Sequence, residues 1–266
     1  MLRLLVPALL FTAAAFGAEK KLLLIGQGPD GHPPGTHEFM AGTRVVKALL
    51  EPYKDVDVAV TKADEPWADG PRMLDAADGV VLLVTQGSQF MQNTPERLAA
   101  FQRLAARKGA IVALHWSIGA KDEQYIPGQL KLLGGTRGGP QRKYQVLETD
   151  VRRLAPKHPV LAGVPDFRIK DEFYYRLDLL PKESPGFTPL LSARIDESDE
   201  TVCWAWERPD GGRSFGYVGF HFHTTWERPE YRRMVTNAVL WSLGLAVPEG
   251  GAKAEVSREV LALPNP

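Results

Sequence analysis

The chain has 266 residues, of which 44% are hydrophobic and 24% are charged, and its 32 basic side chains balance its 32 acidic ones. A chain of this length can bury a substantial core in one large or two small domains without disulfides to support it. The balanced charge argues against a nucleic-acid partner, because phosphate contacts require an excess of Lys and Arg on one face. The composition therefore favours a globular protein that binds a small molecule.

The N-terminus has the pattern of an export signal. Arg3 supplies a positive charge, residues 4–16 form an apolar run, and residues 15–17 include small side chains suited to cleavage. The apolar run is shorter than the ~20 residues that a membrane-spanning helix needs, although an uncleaved anchor is the alternative. We therefore expect a signal peptide at residues 1–17, a mature chain that is periplasmic or secreted, and no stable membrane insertion after cleavage.

The first half of the chain alternates apolar runs with helical patterns. Helical periods occupy residues 39–50, which Thr36 would cap, and 95–108, which Thr94 and Pro95 open. Alternating strands and helices predict a parallel sheet with right-handed crossovers. The apolar runs predict its buried strands at residues 21–28, 56–61, 80–85 and 110–114.

From Tyr144 onward the pattern changes to alternating strands separated by turn signals. These strands are predicted at residues 144–151, 167–177, 189–195, 201–207 and 214–220, before a last helix at 229–243. Residues 247–266 are rich in Gly, Pro, Ala and charge, which predicts a flexible tail. We therefore predict an α/β domain at residues 18–246, with a mostly parallel sheet flanked by helices and additional β-strands in the C-terminal half.

Most of the histidines follow predicted strands, and in an open α/β sheet ligands bind beyond the carboxyl ends of the strands. His221 and His223 close the last strand. Residues two apart in an extended strand project from the same face, so these two side chains would converge. The other polar residues expected at this edge are His32 and His37 after the first strand, Gln86 after the third, and His115, Trp116 and Ser117 after the fourth.

Three kinds of chemistry fit these residues. Neutral imidazoles and a carboxylate can hold Zn²⁺ or a similar divalent ion, which polarises a carbonyl or activates water. Histidines and carboxylates can also act directly as general acids and bases near neutral pH. In the third alternative a histidine activates Ser117 as a nucleophile, although no Gly-x-Ser-x-Gly motif surrounds it. The sequence leaves all three open.

Asp171 and Glu172 are the carboxylates that stand out in the second half. Adjacent strand residues point to opposite faces, so we expect at most one of the two to reach the site unless a bulge intervenes. The aromatic residues Trp116, Tyr174 and Trp226 would suit stacking against a sugar ring, and they would equally suit an ordinary core. The pattern alone does not choose between these roles.

Several short motifs together resemble a known family. The clearest is the segment Gly216–His223, which is followed by Trp226 and by the helical segment Tyr231–Trp241. In order and spacing, the motifs resemble the ThuA-like domain of the trehalose-utilization family over roughly residues 21–245. The other matching segments are Thr36-His37-Glu38, Ala113-Leu114-His115, His158-Pro159-Val160 and Asp171-Glu172-Phe173-Tyr174.

The resemblance implies the class I glutamine-amidotransferase-like fold, which has a flavodoxin-like sheet. Amidotransferases carry a nucleophilic cysteine after the strand that corresponds to residues 110–114, and here His115 occupies that position. Cys203, the only cysteine, lies in a different predicted strand, where a buried apolar role is expected. Glutamine hydrolysis is therefore not expected. The family association is with sugars, including trehalose and related disaccharides processed through 3-keto intermediates, and some members hold a divalent metal.

We therefore predict an exported enzyme that acts on a sugar or keto-sugar by metal-assisted or histidine/carboxylate chemistry, as an isomerase, lyase or hydrolase. The alternatives are a non-catalytic carbohydrate-binding module and a hydrolase that depends on Ser117. The exact sugar and the oligomeric state, a homo-oligomer included, are left open. The expected site residues are Glu172, His37 and His115 for catalysis, Trp116, Tyr174, Trp226 and Gln86 for substrate binding, and His115, His221 and His223 for a divalent metal such as Zn²⁺.

Overall fold

The computed structural model describes residues 19–263. The predicted signal peptide at residues 1–17 therefore lies outside the described residues. Within the described part, no helix is both long enough and apolar enough to cross a membrane. The strands are β1 (Lys20–Gly26), β2 (Val56–Lys62), β3 (Gly79–Leu83), β4 (Ala110–Leu114), β5 (Gly135–Thr136), β6 (Lys143–Arg153), β7 (Phe167–Tyr175), β8 (Asp178–Leu179), β9 (Phe187–Ile195), β10 (Ser198–Glu207) and β11 (Arg213–Tyr217). The helices are α1 (Phe39–Leu50), α2 (Gly70–Asp75), α3 (Gly87–Gln92), α4 (Pro95–Ala106), α5 (Ile126–Leu133), α6 (Pro229–Ser242) and α7 (Arg258–Leu261).

Nine of these strands form one sheet in the order β2-β1-β3-β4-β11-β10-β9-β6-β7, and β5 pairs with β8 in a separate ribbon. Neighbouring strands from β2 to β11 run parallel, whereas those from β11 to β7 run antiparallel. With β11 counted as the fifth strand, the parallel half has the order 2-1-3-4-5 of flavodoxin-like sheets. The predicted α/β fold is confirmed. Strands β6, β7, β9 and β10 of the second half belong to the same sheet and run antiparallel to their neighbours.

The sequences of the central strands explain why they lie inside the molecule. β3 reads Gly-Val-Val-Leu-Leu, β4 reads Ala-Ile-Val-Ala-Leu, and every residue of both strands is buried. Parallel strands that helices cover on both faces must be apolar on both faces. Helix α4 begins as predicted, because the side chain of Thr94 accepts a hydrogen bond from the N–H of Arg97 and Pro95 takes the first helical position.

Some local structure differs from the prediction. Helices α2, α3 and α5 were not predicted, because each has eight residues or fewer and a helical period does not stand out over that length. Thr36 does not cap α1, since its hydroxyl donates to the carbonyl of Pro33. Glu38 precedes the helix and makes no side-chain cap.

The C-terminal segment packs against the domain, where the sequence predicted a flexible tail. Ala252 and Ala254 are each 1% exposed. The side-chain amide of Asn237 in α6 donates to the carbonyls of Val160 and Ala162, and its oxygen accepts from the N–H of Ala252 at 2.8 Å. Composition alone missed this contact, because backbone groups and small side chains make it.

Replacing Asn237 by Ala should lower the free energy of unfolding by about 3 kcal/mol, because three backbone groups, two of them buried, lose their partner. Urea denaturation measures this change, and hydrogen exchange at the amide of Ala252 should become faster. Asn93→Ala is the matched control, since that amide contacts Glu65 near the surface, and it should change stability by less than about 0.5 kcal/mol. Equal losses in both variants would show that Asn237 does not hold the segment.

Candidate metal centre

Three histidine side chains meet beyond the carboxyl ends of the parallel strands. Nε2 of His37 lies 3.0 Å from Nε2 of His115 and 3.0 Å from Nδ1 of His221, and the last two atoms are 3.2 Å apart. All three residues are buried, and we call them the histidine cluster. The spacing suits ligands of one ion, because the four ligand atoms around a tetrahedral Zn²⁺ at about 2.0–2.1 Å lie about 3.3 Å apart.

Two of the three histidines have a left-handed backbone that turns the chain into the cluster. His37 (φ 51°) lies just before α1, and His115 (φ 52°) directly follows β4. This conformation is costly for residues other than glycine, and it is concentrated at functional sites. The N–H of His37 donates to the carbonyl of His221 at 3.0 Å, which joins the loop after β1 to the loop after β11.

Hydrogen bonds behind two of the imidazoles fix their tautomers. Nδ1 of His37 lies 2.7 Å from a carboxylate oxygen of Asp30, and Nδ1 of His115 lies 2.7 Å from the carbonyl oxygen of Val218. Because these oxygens only accept, each Nδ1 carries the proton and each Nε2 of the neutral ring presents a lone pair. The two Nε2 atoms therefore face each other with no hydrogen between them. A cation would stabilise this arrangement, and a carboxylate or carbonyl behind the ring is the usual support of a ligating histidine.

Burial keeps the cluster uncharged. It lowers the pKa of His115 well below the ordinary value and that of His221 to about 4, and the neighbouring imidazoles act in the same direction. Burial also lowers the pKa of His37, although the carboxylate of Asp30 opposes the shift. Near neutral pH the three rings are therefore neutral, which is the form that binds a metal ion.

Asp30 is a site residue that the sequence analysis missed. Besides the bond to His37, its carboxylate accepts hydrogen bonds from Nδ1 of His32 (2.8 Å) and from the hydroxyl of Thr85 (3.3 Å). Burial acts to raise the pKa of Asp30, but the hydrogen bonds from His37 and His32 lower it overall, so the carboxyl is ionised. The available signal was its position in the loop after β1, at the same edge as the histidines.

Strand β7 presents Glu172 and Tyr174 to the cluster, because residues two apart on a strand share a face. Oε1 of Glu172 lies 3.6 Å from Nδ1 of His221 and 3.8 Å from Nε2 of His115. The hydroxyl of Tyr174 lies 3.1 Å from the same Nε2, and its ring stacks on His115 with centroids 4.7 Å apart. Burial raises the pKa of Glu172, so its carboxyl holds a proton closer to neutral pH than an exposed Glu does.

Asp171 points the other way and holds the loop that carries His221. Its carboxylate accepts hydrogen bonds from the N–H groups of Phe220 (2.8 Å), His221 (3.2 Å) and Glu172 (2.9 Å). The residue has no exposed surface, and burial raises its pKa to about 7. Of the two adjacent carboxylates, Glu172 therefore reaches the site and Asp171 positions its backbone.

His223 does not join the cluster, which corrects its predicted place among the metal ligands. β11 ends at Tyr217 and His223 opens a short 3-10 turn, so His221 and His223 do not share a strand face. Nε2 of His223 instead donates to the carbonyl of Leu261 at 2.9 Å. The third position in the cluster belongs to His37, which the sequence analysis placed among the catalytic candidates.

The residues predicted to bind substrate separate into two groups. Trp226 belongs to the core, since it is 2% exposed and its ring centroid lies 4.1 Å from that of Phe220. Trp116 is half-buried beside the cluster, with its ring centroid 5.2 Å from that of His37. Gln86 lies at the same edge of the sheet, where its amide oxygen accepts a backbone hydrogen bond. Tyr174 contacts the cluster directly. Of the four residues predicted to bind substrate, Trp226 is therefore the one that the structure places away from the site.

Neither Ser117 nor Cys203 is placed to act as a nucleophile. The hydroxyl of Ser117 is buried, accepts from the N–H of Val84 (2.8 Å) and donates to the carbonyl of Val84 (3.2 Å). Cys203 is fully buried, and burial raises the pKa of its thiol well above the usual value. Both groups serve the packing of the sheet.

A cavity of about 500 Å³ lies on the side of the sheet away from the histidine cluster. Its lining includes His158, Glu207, Arg213 and Trp241, and Arg213 is the first residue of β11. This cavity is therefore near the amino end of a parallel strand, whereas ligands of open α/β sheets bind at the carboxyl ends. The histidines meet at the carboxyl edge, so we place the candidate site there.

Fold and site together define an α/β protein with a candidate metal centre at the carboxyl edge of its sheet. Residues 31–242 match the family model ThuA, described as trehalose utilisation. Because this match covers most of the chain, the chain belongs to the ThuA family, and the resemblance found in the sequence is confirmed. The matched range contains the whole histidine cluster and Glu172. No curated protein matches the chain.

Solved structures support the fold. A ThuA-like protein from Bacteroides uniformis ATCC 8492 has a TM-score of 0.65 and 17% identity, over 86% of this chain and 94% of that one. Gan42B, a GH42 beta-galactosidase, has a TM-score of 0.51 and 12% identity, over 86% of this chain and 30% of that one. A glutamine amidotransferase from Thermotoga maritima has a TM-score of 0.47 and 11% identity, over 85% and 98%. At these identities, the first two likenesses show the fold alone.

Replacing Asp171 by Ala should lower the free energy of unfolding by about 3 kcal/mol or more, because three buried N–H groups lose their acceptor. Denaturation in urea at neutral pH measures the loss. Asp150→Ala on the neighbouring strand is the control, since Asp150 forms an exposed pair with Arg168 that is worth no more than about 1 kcal/mol. Similar stability in the two variants would contradict the positioning role of Asp171.

Proposed function

We propose that the protein is an enzyme of carbohydrate metabolism that binds a divalent metal ion in the histidine cluster and acts on a sugar or keto-sugar. The observation that carries the proposal is the meeting of three neutral imidazole nitrogens at 3.0–3.2 Å. A purely structural cluster would gain nothing from two lone pairs that face each other. The family description, trehalose utilisation, supports a carbohydrate substrate.

His37, His115 and His221 would hold the ion. When bound, a divalent ion would supply Lewis acidity toward a sugar carbonyl or toward water. Asp30 would orient His37 from behind, and the carbonyl of Val218 would orient His115 in the same way. Imidazole ligands favour Zn²⁺ and other first-row transition metals over Mg²⁺ and Ca²⁺.

Glu172 is the group that would move a proton. Its Oε1 faces the cluster, 3.6 Å from Nδ1 of His221. A carboxylate there can remove a proton from the carbon beside a sugar carbonyl and return it later, a step that isomerases and lyases of keto-sugars share. The hydroxyl of Tyr174 would donate a hydrogen bond to a substrate oxygen, and the half-buried ring of Trp116 would stack against the sugar.

Two finer assignments accompany this function. The strand order 2-1-3-4-5 supports a class I glutamine-amidotransferase-like fold, but His115 stands where those enzymes carry their cysteine, so we do not propose glutamine hydrolysis. The charge and apolar pattern of residues 1–17 supports export to the periplasm or beyond the cell.

The purified protein should bind one Zn²⁺ or Mn²⁺ ion per chain, and His37→Ala, His115→Ala and His221→Ala should each abolish binding, because each removes one of three ligands. Isothermal titration and elemental analysis measure this. His223→Gln is the control and should bind the ion as the unmodified protein does, because His223 bonds to Leu261 instead. Loss of the ion in the control, with binding retained in the cluster variants, would contradict the proposed site.

Glu172→Gln should reduce turnover of 3-keto-glycosides by about 100-fold or more, because it removes the proton acceptor, while metal binding persists. Product formation by the metal-loaded protein is the measurement. Glu148→Gln, at an exposed position of β6, should leave turnover unchanged. Unchanged turnover in Glu172→Gln would exclude this role, and sugar binding without any turnover in the unmodified protein would identify a carbohydrate-binding module instead.

A further inference from the structure

Arg137 is a buried arginine whose guanidinium has no hydrogen-bond acceptor within residues 19–263. It directly follows β5 and is 7% exposed. Its Nε has no hydrogen-bond partner, and no carboxylate of the described residues forms an ion pair with its guanidinium. A buried charge without hydrogen-bond acceptors destabilises a protein unless something else supplies them.

The other buried arginines show how unusual this is. Arg97, Arg208 and Arg232 each donate hydrogen bonds from the guanidinium to carbonyl or carboxylate oxygens of the chain. Arg208, for example, bonds to Asp210 at 3.0 Å and to the hydroxyl of Ser214 at 2.7 Å. These three guanidinium groups support the fold, whereas that of Arg137 is left for a ligand.

The guanidinium of Arg137 lies beside the histidine cluster. Its Cζ is 4.3 Å from the ring centre of Tyr174, and the same ring stacks on His115. Tyr144, whose ring centre is 5.5 Å from Cζ, is the direct partner of Tyr174 in the pairing of β6 with β7. Directly opposite residues of an antiparallel pair project from one face, so the two tyrosines hold the guanidinium on the face that carries Glu172.

The backbone of Arg137 is held at the same place. Its N–H donates to the carbonyl of Ile118 at 3.0 Å, and its carbonyl accepts from the N–H of Ala120 at 3.1 Å. A side chain on Gly119 would collide with the carbonyl of Arg137, so only glycine allows this close pairing. Arg137 is thereby joined to the turn that begins at His115.

We propose that Arg137 binds an anionic oxygen group of the substrate, a carboxylate or a phosphate, and that the substrate is therefore an acidic sugar. This inference rests on the proposed function, in which the histidine cluster acts on the uncharged part of the same molecule. A guanidinium presents paired N–H donors that match the oxygens of a carboxylate or a phosphate.

The surroundings of Arg137 favour an anion as well. The charge of Arg142 is close enough to repel that of Arg137, which an anion between them would relieve, whereas the carboxylate of Glu172 attracts Arg137 without forming a direct pair. Lys121 adds a further cation at the rim, 5.6 Å from the ring centre of Trp116. Tyr144 is 61% exposed, which leaves an aromatic surface free for the sugar ring.

Calorimetric titration of the full-length, zinc-loaded protein tests the proposal. The probes are glucose and galactose, the corresponding uronates and the corresponding 6-phosphates. At least one anionic series should bind about tenfold or more tightly than its neutral parent, because hydrogen bonds to a charged group are strong. Arg137→Met should remove this preference and Arg137→Lys should reduce it, whereas the control Arg72→Met, at an exposed position of α2, should keep it. A preference for uronates or for 6-phosphates distinguishes the two anions.

Equal affinity for neutral and anionic sugars, no binding of either anionic series, or a preference that survives Arg137→Met would each overturn the proposal. Thermal unfolding controls for folding: Arg137→Met should change the melting temperature much less than Arg208→Met, since the Arg137 side chain makes no hydrogen bond within the described residues and that of Arg208 makes several. Zinc titration separates this proposal from the proposed function, because Arg137→Met should bind zinc normally. A protein that prefers anionic sugars through Arg137 but binds no metal would contradict the metal site and leave this inference standing.

Discussion

The arrangement of the site depends on the hydrogen bonds that the buried carboxylate of Asp171 accepts. By accepting hydrogen bonds from the loop after β11, including that of the His221 N–H, it fixes the path of this loop. The same loop supplies the Val218 carbonyl that sets the tautomer of His115 and the His221 carbonyl that binds the N–H of His37. The single carboxylate of Asp171 thus determines where the three imidazoles of the histidine cluster lie. Backbone N–H donors, rather than a neighbouring cation, stabilise the charged form of Asp171.

Much of this architecture follows from patterns in the sequence. Strands β3 and β4 are apolar on both faces, so their burial and the place of His115 at the carboxyl end of β4 could be predicted. Alternation on β7 indicated that Asp171 and Glu172 point to opposite faces, but not which face carries the site, because that depends on how the sheet meets the loop after β11. His223 was misplaced because the rule for strand faces was extended beyond the last residue of the strand.

Other site residues had little sequence signal, and for Asp30 it was only the position in the loop after β1. Asp30 acts through His37, and their contact depends on the path of a loop that contains several Gly and Pro residues. Arg137 lies in a segment without clear periodicity, and its position follows from a bridge to Gly119 that no local pattern indicates. Long-range contacts between loops, rather than the strands and helices themselves, therefore decide which side chains complete the centre.

The direction of β1 fixes the side of the sheet on which the described chain begins. The strand runs from Lys20 to Gly26 toward the histidines, and seven extended residues span about 20 Å. The polypeptide thus enters from the side remote from the histidine cluster. A fusion partner joined directly before Lys20 would therefore emerge on the side of the sheet remote from the histidine cluster and would leave access to the cluster open.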